Sequence, residues 1–93
     1  MSYSGNLSAD GTSAEIVIQH NDGTHFSMAG TWGSGTATLQ QNRNGTWGTA
    51  YYSGGTAITH SADFNEVLDF RRGDKVRWSL SGSTSPDLNW TIS

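Results

Sequence analysis

The chain has no cysteine and a single proline among its 93 residues. Without cysteine, no disulfide can cross-link the fold and thiolate metal sites are excluded. The same absence is typical of proteins made in a reducing cytosol. A domain of this length buries roughly 60–65% of the surface of its unfolded chain, so its own core is marginal. We therefore expect one compact domain whose stability is completed by oligomerisation.

Charged residues are also scarce, at 14% of the chain, and the formal net charge is −3. General nucleic-acid binders and binders of anionic membranes normally carry a basic surface, which this composition excludes. No apolar run approaches the roughly 20 residues needed to span a bilayer. No basic segment followed by an apolar one opens the chain, so we expect no signal peptide.

The chain is instead rich in glycine, with 12 residues, and in aromatic side chains, with four Trp, three Tyr and three Phe. That aromatic content excludes a disordered linker. About eight short β-prone segments recur at a spacing of roughly 8–12 residues, and no segment has a 3.6-residue apolar repeat. The sequence predicts an all-β fold, a small antiparallel β-sandwich or a jelly-roll-like barrel, with little or no helix.

The clearest strands lie in the C-terminal third. Apolar side chains alternate with polar ones over 75–80 and again over 88–93, which places one face of each segment against a core. We expect these two strands to pair antiparallel and the rest of the chain to pack on them. Further strands are predicted at Glu15–His20, Thr24–Ala29, Thr36–Gln41, Thr46–Ser53, Thr56–Thr59 and Val67–Phe70.

The segments between the strands contain turn residues. Hairpin turns are predicted at Asn21–Gly23, Asn42–Gly45 and Arg71–Asp74. The segment 62–66 is expected to be irregular. Met1–Thr12 is polar and predicts a flexible N-terminal arm, which leaves 13–93 as the single β-sandwich domain.

No catalytic, metal or cofactor site is predicted. The three histidines have no recognised ligand spacing, and solvated histidines on a polar strand face are commoner than metal ligands: His20, His25 and His60. Four carboxylates could supply the acid and base of a glycosidase: Asp63, Glu66, Asp69 and Asp74. That chemistry needs a cleft for the substrate, for which a sandwich of this size has little room. We therefore expect a protein that is not an enzyme.

Two aromatic residues are candidates for a subunit interface or a ligand surface. Trp32 lies in a glycine-rich interruption, and Tyr52 is out of phase with Trp47 and Tyr51, which share a strand face. Aromatic anchors concentrate at such surfaces. Exposed Trp and Tyr can also stack on sugar rings, so a glycan ligand is an alternative.

Four of the five basic residues fall in one window around the predicted 71–74 turn, namely Arg71, Arg72, Lys75 and Arg77. Asp69 and Asp74 lie among them, so the local charge is mixed. Either this is a solvated hairpin end, or it is a charged edge that docks on an acidic partner surface.

Three stretches together resemble small virion proteins of tailed bacteriophages: Gly30–Gln40, Gly45–Trp47 and Val76–Ile92. They follow the pattern of a glycine-rich entry, a strand, an Asn-Gly-Thr-Trp turn, and a Val-Arg-x-x-Leu-Ser-Gly segment before a terminal alternating strand. The resemblance covers about two-thirds of the chain, from Gly30 onward. It implies a small β-sandwich subunit of the virion, made in the host cytoplasm, and carries over no catalytic residue.

The leading hypothesis is therefore a non-enzymatic capsid decoration (cement) protein. Its expected partners are copies of itself, with a homotrimer favoured, and the major capsid protein or other virion proteins. The alternatives are a fibre, neck or tail component, and a carbohydrate-binding module that recognises a receptor.

Overall fold

The computed structural model describes residues 3–19, 23–52 and 54–93, and within these ranges the protein is all-β without a helix. Its strands in chain order are β1 Tyr3–Leu7, β2 Gly11–Thr12, β3 Ile16–Val17, β4 Thr24–Thr31, β5 Thr36–Arg43, β6 Thr46–Thr49, β7 Thr59–His60, β8 Phe64–Leu68, β9 Lys75–Ser81 and β10 Asp87–Ile92.

The strands form two antiparallel sheets. The four-stranded sheet has the order β1-β10-β4-β8. The six-stranded sheet has the order β2-β9-β5-β6, with β3 also pairing with β9 and β7 also pairing with β5. Both sheets contribute side chains to one hydrophobic core, so the predicted small antiparallel β-sandwich is confirmed.

Alternation within the strands fills this core. Val76, Trp78 and Leu80 of β9 are buried, as are alternate residues of β10. The ring of Phe26, from β4, lies edge-on to Trp78 with centroids 6.2 Å apart. Burying a large apolar side chain contributes about 1.5–3 kcal/mol, so these positions supply most of the driving force for folding.

The expected pairing of the two C-terminal strands is wrong. β9 pairs with β5 in the six-stranded sheet, whereas β10 lies between β1 and β4 in the other sheet. Their apolar faces meet across the core. The connection 82–86 crosses between the sheets, and Thr84 N–H donates to the carbonyl of Gly33 at 2.9 Å.

Residues of the expected N-terminal arm lie in both sheets. Tyr3–Leu7 forms β1 on the free side of β10, and Gly11–Thr12 pairs with β9. Leu7 is buried, and Gly5 packs so closely on the Trp90 ring that a Cβ there would lie 2.6 Å from Cζ2. Pairing with β10 and packing on Trp90 therefore order a segment whose composition is poor in strand formers.

Other boundaries also differ from the prediction, including the end of β6 at Thr49 and the start of β7 at Thr59. β8 begins at Phe64, inside the segment expected to be irregular, and ends at Leu68. The first β-branched strand is limited to Ile16–Val17, and it pairs with β9 rather than with β4. Because β8 and β9 lie in different sheets, 71–74 is not a hairpin turn. The predicted 21–23 turn and His20 fall largely outside the described residues.

The two outer faces differ in charge. All five Lys and Arg residues lie on strands of the six-stranded sheet or in the connection 69–74, so the four-stranded sheet contains neither residue type. Its outer face presents mainly hydroxyl and amide side chains, including Asn6, Ser27, Asn89 and Thr91. This face is therefore nearly uncharged, with one exception, the Asp87 carboxylate, which accepts a hydrogen bond from Nδ2 of Asn6.

Candidate functional site

A cleft lies where the 50–58 segment approaches β8. One part, of about 240 Å³, is lined by Tyr51, Tyr52, Ile58, Val67, Leu68, Asp69 and Phe70. An adjoining part, of about 540 Å³, shares Tyr51, Asp69 and Phe70 and extends to Gln41, Arg71 and Asp74. Tyr51 is 55% exposed and Val67 is 64% exposed. The cleft therefore brings together exposed apolar surface and polar side chains.

The polar lining is of mixed charge. Asp69, Arg71, Asp74 and Gln41 all border the wider part of the cleft. The Arg71 backbone N–H donates to Oδ2 of Asp74 at 2.9 Å, which fixes the turn that carries both residues. Two carboxylates and one guanidinium leave this region close to neutral, which suits a polar neutral ligand or the rim of a protein interface.

A cluster of polar side chains joins the two sheets beside the cleft. The Tyr52 hydroxyl donates to Oε2 of Glu66 at 2.8 Å, and Nε2 of His60 lies 2.6 Å from Oε1 of the same carboxylate. Tyr52 and His60 belong to the side of the six-stranded sheet, whereas Glu66 is on β8. Burial, then the hydrogen bond and the negative charge of Glu66, raise the pKa of Tyr52 to about 12.

Aromatic rings support this cluster from the core side. The His60 ring stacks on Phe64 at a centroid distance of 3.6 Å and an interplanar angle of 11°. The ring centroid of Phe64 in turn lies 5.3 Å from that of Trp78, with an interplanar angle of 61°. His60, Glu66 and Tyr52 are thus held between packed rings and the cleft, so they close the sandwich edge rather than reach into solvent.

Trp32 lies away from the cleft. Its Nε1–H donates to Oδ1 of Asp63 at 2.8 Å, and the same oxygen accepts the Gly30 N–H at 3.1 Å. Its ring packs near Phe64, at 6.4 Å. The two aromatic candidates, Trp32 and Tyr52, are therefore half-buried parts of the fold that lie at separate places.

The four basic residues of the predicted edge lie in different environments. Arg71 borders the cleft, and Arg72 follows it in the connection between the sheets. Lys75 lies 3.5 Å from Glu15. The Arg77 guanidinium is 4.2 Å from the centroid of Trp47, and its Nε–H donates to Gln40 at 2.7 Å. Lys75 and Arg77 thus belong to the outer face of the six-stranded sheet.

Sequence reasoning missed Tyr51. It placed Trp47 and Tyr51 on one face of a single strand, but β6 ends at Thr49 and Tyr51 lies beyond it, in an isolated bridge with Ala57 that borders the cleft. Ala50 is buried, and the partly buried Tyr52 side chain packs against the core. The available signal was Ala50, a small residue between Thr49 and Tyr51 that is buried and so marks the inward side of the segment.

Among the described residues, His25 and the carboxylates form no metal centre. His25 hydrogen-bonds to Asn65 across the outer face of the four-stranded sheet. Across 3–19, 23–52 and 54–93 no group of three His, Cys, Asp or Glu side chains is arranged to hold a metal ion. No helix suited to crossing a membrane occurs in the same ranges.

Comparison with known proteins identifies no matching family model, no matching curated protein and no matching solved structure.

Proposed function

We propose that this protein is a non-enzymatic structural subunit of a tailed-bacteriophage particle that decorates the capsid as a homo-oligomer, with a trimer favoured. The structural observation that supports it is the state of the four-stranded sheet. Its outermost strands, β1 and β8, each have one edge that pairs with no other described strand, and neither contains lysine or proline. Proteins that avoid association usually protect such edges with those residues.

The mechanism of a decoration protein is linkage between binding and shell stability. A subunit that binds only the assembled shell stabilises it by about 2.7 kcal/mol per site when its free concentration is a hundred times Kd. Repetition over many sites multiplies the effect. The nearly uncharged outer face of the four-stranded sheet and the mixed-charge cleft are the surfaces available for shell and subunit contacts.

Particle composition tests this proposal. Quantitative mass spectrometry of purified virions that carry the gene should find the chain in many copies, and antibodies against it should label the capsid in electron micrographs. Labelling confined to a fibre, neck or tail would replace decoration with that location. Absence of the chain from intact particles would overturn the proposal.

Carbohydrate recognition is a second candidate, favoured by the exposed Tyr51 ring beside Gln41, Asp69 and Arg71. A sugar could stack its apolar face on the ring while the polar side chains bind its hydroxyls. NMR titration with a panel of neutral oligosaccharides should then shift resonances of the cleft. Tyr51→Ala should abolish the shifts. Trp47→Ala, which lies outside the cleft against Arg77, should keep them. No shift with any sugar would eliminate this candidate.

A further inference from the structure

The free edges of the four-stranded sheet can be assigned residue by residue. His25 and Ser93 exchange backbone hydrogen bonds, with N···O distances of 2.6 and 2.9 Å. The N–H and C=O of one residue point to the same side of a strand, and successive residues alternate sides. The backbone N–H and C=O of His25 point toward β10. Those of Phe26 therefore point toward β8, where Glu66 is its partner.

The same alternation continues to both edges. The backbone groups of Glu66 point toward β4, so the backbone groups of Asn65 and Val67 point to the open side of β8. At the opposite edge of the sheet, the backbone groups of Ser93 point toward β4. Those of Ile92 therefore point toward its partner Tyr3 on β1. The backbone groups of Ser4 and Asn6 therefore point to the open side of β1.

These two edges match each other. β1 and β8 each have five residues and the same burial pattern, with half-buried first and third residues and a buried leucine at the end. Three antiparallel steps separate them, so they run in opposite directions. When two copies stand side by side, β8 of one copy therefore lies antiparallel to β1 of the next.

We propose that copies of this chain assemble head to tail by pairing β1 of one copy with β8 of its neighbour. In the matching register Ser4 lies opposite Val67 and Asn6 lies opposite Asn65. All four side chains are exposed on the outer face of the sheet, so pairing continues its in-out alternation. The Val67 side chain, which is 64% exposed, would be partly covered by β1 of the neighbouring copy.

The head-to-tail arrangement is favoured over pairing of like edges. A two-fold contact between two β8 strands, or between two β1 strands, yields a dimer and leaves the other edge open. A heterologous contact uses both edges in every copy and can close into a ring. A trimer of this kind has no exposed edge in the four-stranded sheet, which removes the hazard of further strand addition. The inference rests on the homo-oligomer of the proposed function.

Cysteine cross-linking of the full chain tests the pairing directly, because the native sequence contains no cysteine. The double variant Ser4→Cys/Val67→Cys, treated with a short bis-maleimide, should give covalent oligomers on a denaturing gel. A mixture of the two single variants should give a covalent dimer, whereas either single variant alone should remain monomeric. Ser81→Cys, at an exposed position on the six-stranded sheet, is the control for collisional cross-linking.

The outcomes separate the inference from the proposed function. Cross-linking of Val67→Cys alone, or of Ser4→Cys alone, would overturn the head-to-tail arrangement in favour of a two-fold contact. An oligomer by light scattering without any cross-link of the double variant would overturn the edge pairing while leaving the oligomer intact. A wild-type monomer would overturn both the pairing and the oligomeric subunit, whereas detection of the chain in virions tests particle membership separately.

Discussion

Tyr52 is a residue whose ionisation depends on the fold. Its hydroxyl is half-buried and donates to the Glu66 carboxylate, and its pKa is raised to about 12 from an ordinary value near 10. Because the folded state favours the neutral phenol, this contribution to stability is fully present below about pH 10. It is lost as the pH rises toward 12.

Replacing Glu66 tests that explanation. We expect Glu66→Gln to lower the pKa of Tyr52, since the charge is removed and the acceptor is weakened, while the effect of burial remains. NMR titration of the Tyr52 ring carbon measures the shift, and the exposed Tyr51 ring is the internal reference. An unchanged Tyr52 titration in Glu66→Gln would show that the carboxylate does not contact the hydroxyl in solution.

Gly33 is fixed by both backbone conformation and space. Its φ is +57°, and a Cβ at this position would lie 2.1 Å from the carbonyl oxygen of Thr84. Gly82 has a similar φ of +69° but no atom near the site of a Cβ. We expect Gly82→Ala to cost about 1 kcal/mol of unfolding free energy from backbone strain alone.

Gly33→Ala should cost clearly more than its control, roughly 2–4 kcal/mol, because the 82–86 connection must move as well. Chemical denaturation of both variants measures the difference. Equal losses in the two variants would mean that the close approach to Thr84 is not maintained in solution.

Among the elements, β1 is held by its pairing with β10, by the buried Leu7 and by one very close contact, that of Gly5 with Trp90. A side chain at Gly5 would enter the Trp90 ring, whereas Ser4 is exposed on the opposite face. We expect Gly5→Val to destabilise the fold by about 1–3 kcal/mol and to free β1 from β10, although valine favours strands. Ser4→Ala should change stability by less than about 0.5 kcal/mol.

Amide hydrogen exchange of β1 and β10 checks this expectation. Exchange should accelerate in the Gly5→Val variant first in β1 and then in the edge of β10 that it covers. Unchanged protection of both strands would contradict the placement of residues 3–7 in the sheet.

The predictability of the elements from sequence depended on how local their causes are. The β5–β6 hairpin was foreseen because Asn44 and Gly45 both adopt positive φ, at 55° and 85°, as a two-residue turn of the primed type requires. The partner of each strand could not be predicted, because pairing is not determined by the local sequence. Period-two alternation over 75–80 and 88–92 shows that each strand has a buried face, but two strands of one sheet and two facing strands satisfy it equally.

The missed elements have similar causes. β8 was placed too late because Glu66 occupies an inward position, where Tyr52 and His60 satisfy its carboxylate, so the apolar alternation is interrupted. Segment 3–7 alternates Tyr3, Gly5 and Leu7 inward, but the glycine hides the pattern. The cleft could not be predicted, since Gln41, Tyr51 and Asp74 meet only through the pairing of β5 with β6 and β9.

At the scale of the whole molecule, the small core and the open edges of one sheet point to the same property. A chain of 93 residues without disulfides has a marginal core of its own, and in the four-stranded sheet β1 and β8 each have one edge with no partner among the described residues. The basic residues are confined to the other sheet and the 69–74 connection. Association through the four-stranded sheet therefore meets no lysine or arginine.

The most direct test of the account is the solution mass of the purified protein by light scattering at several concentrations, for the wild type and two lysine variants. The wild type should be a stable oligomer, with a trimer favoured. Val67→Lys places a charge on the β8 edge and should shift the mass toward the monomer, whereas Val17→Lys, on the 38% exposed valine of the six-stranded sheet, should leave it unchanged. A wild-type monomer at every concentration, or an oligomer that Val67→Lys does not weaken, would contradict the account.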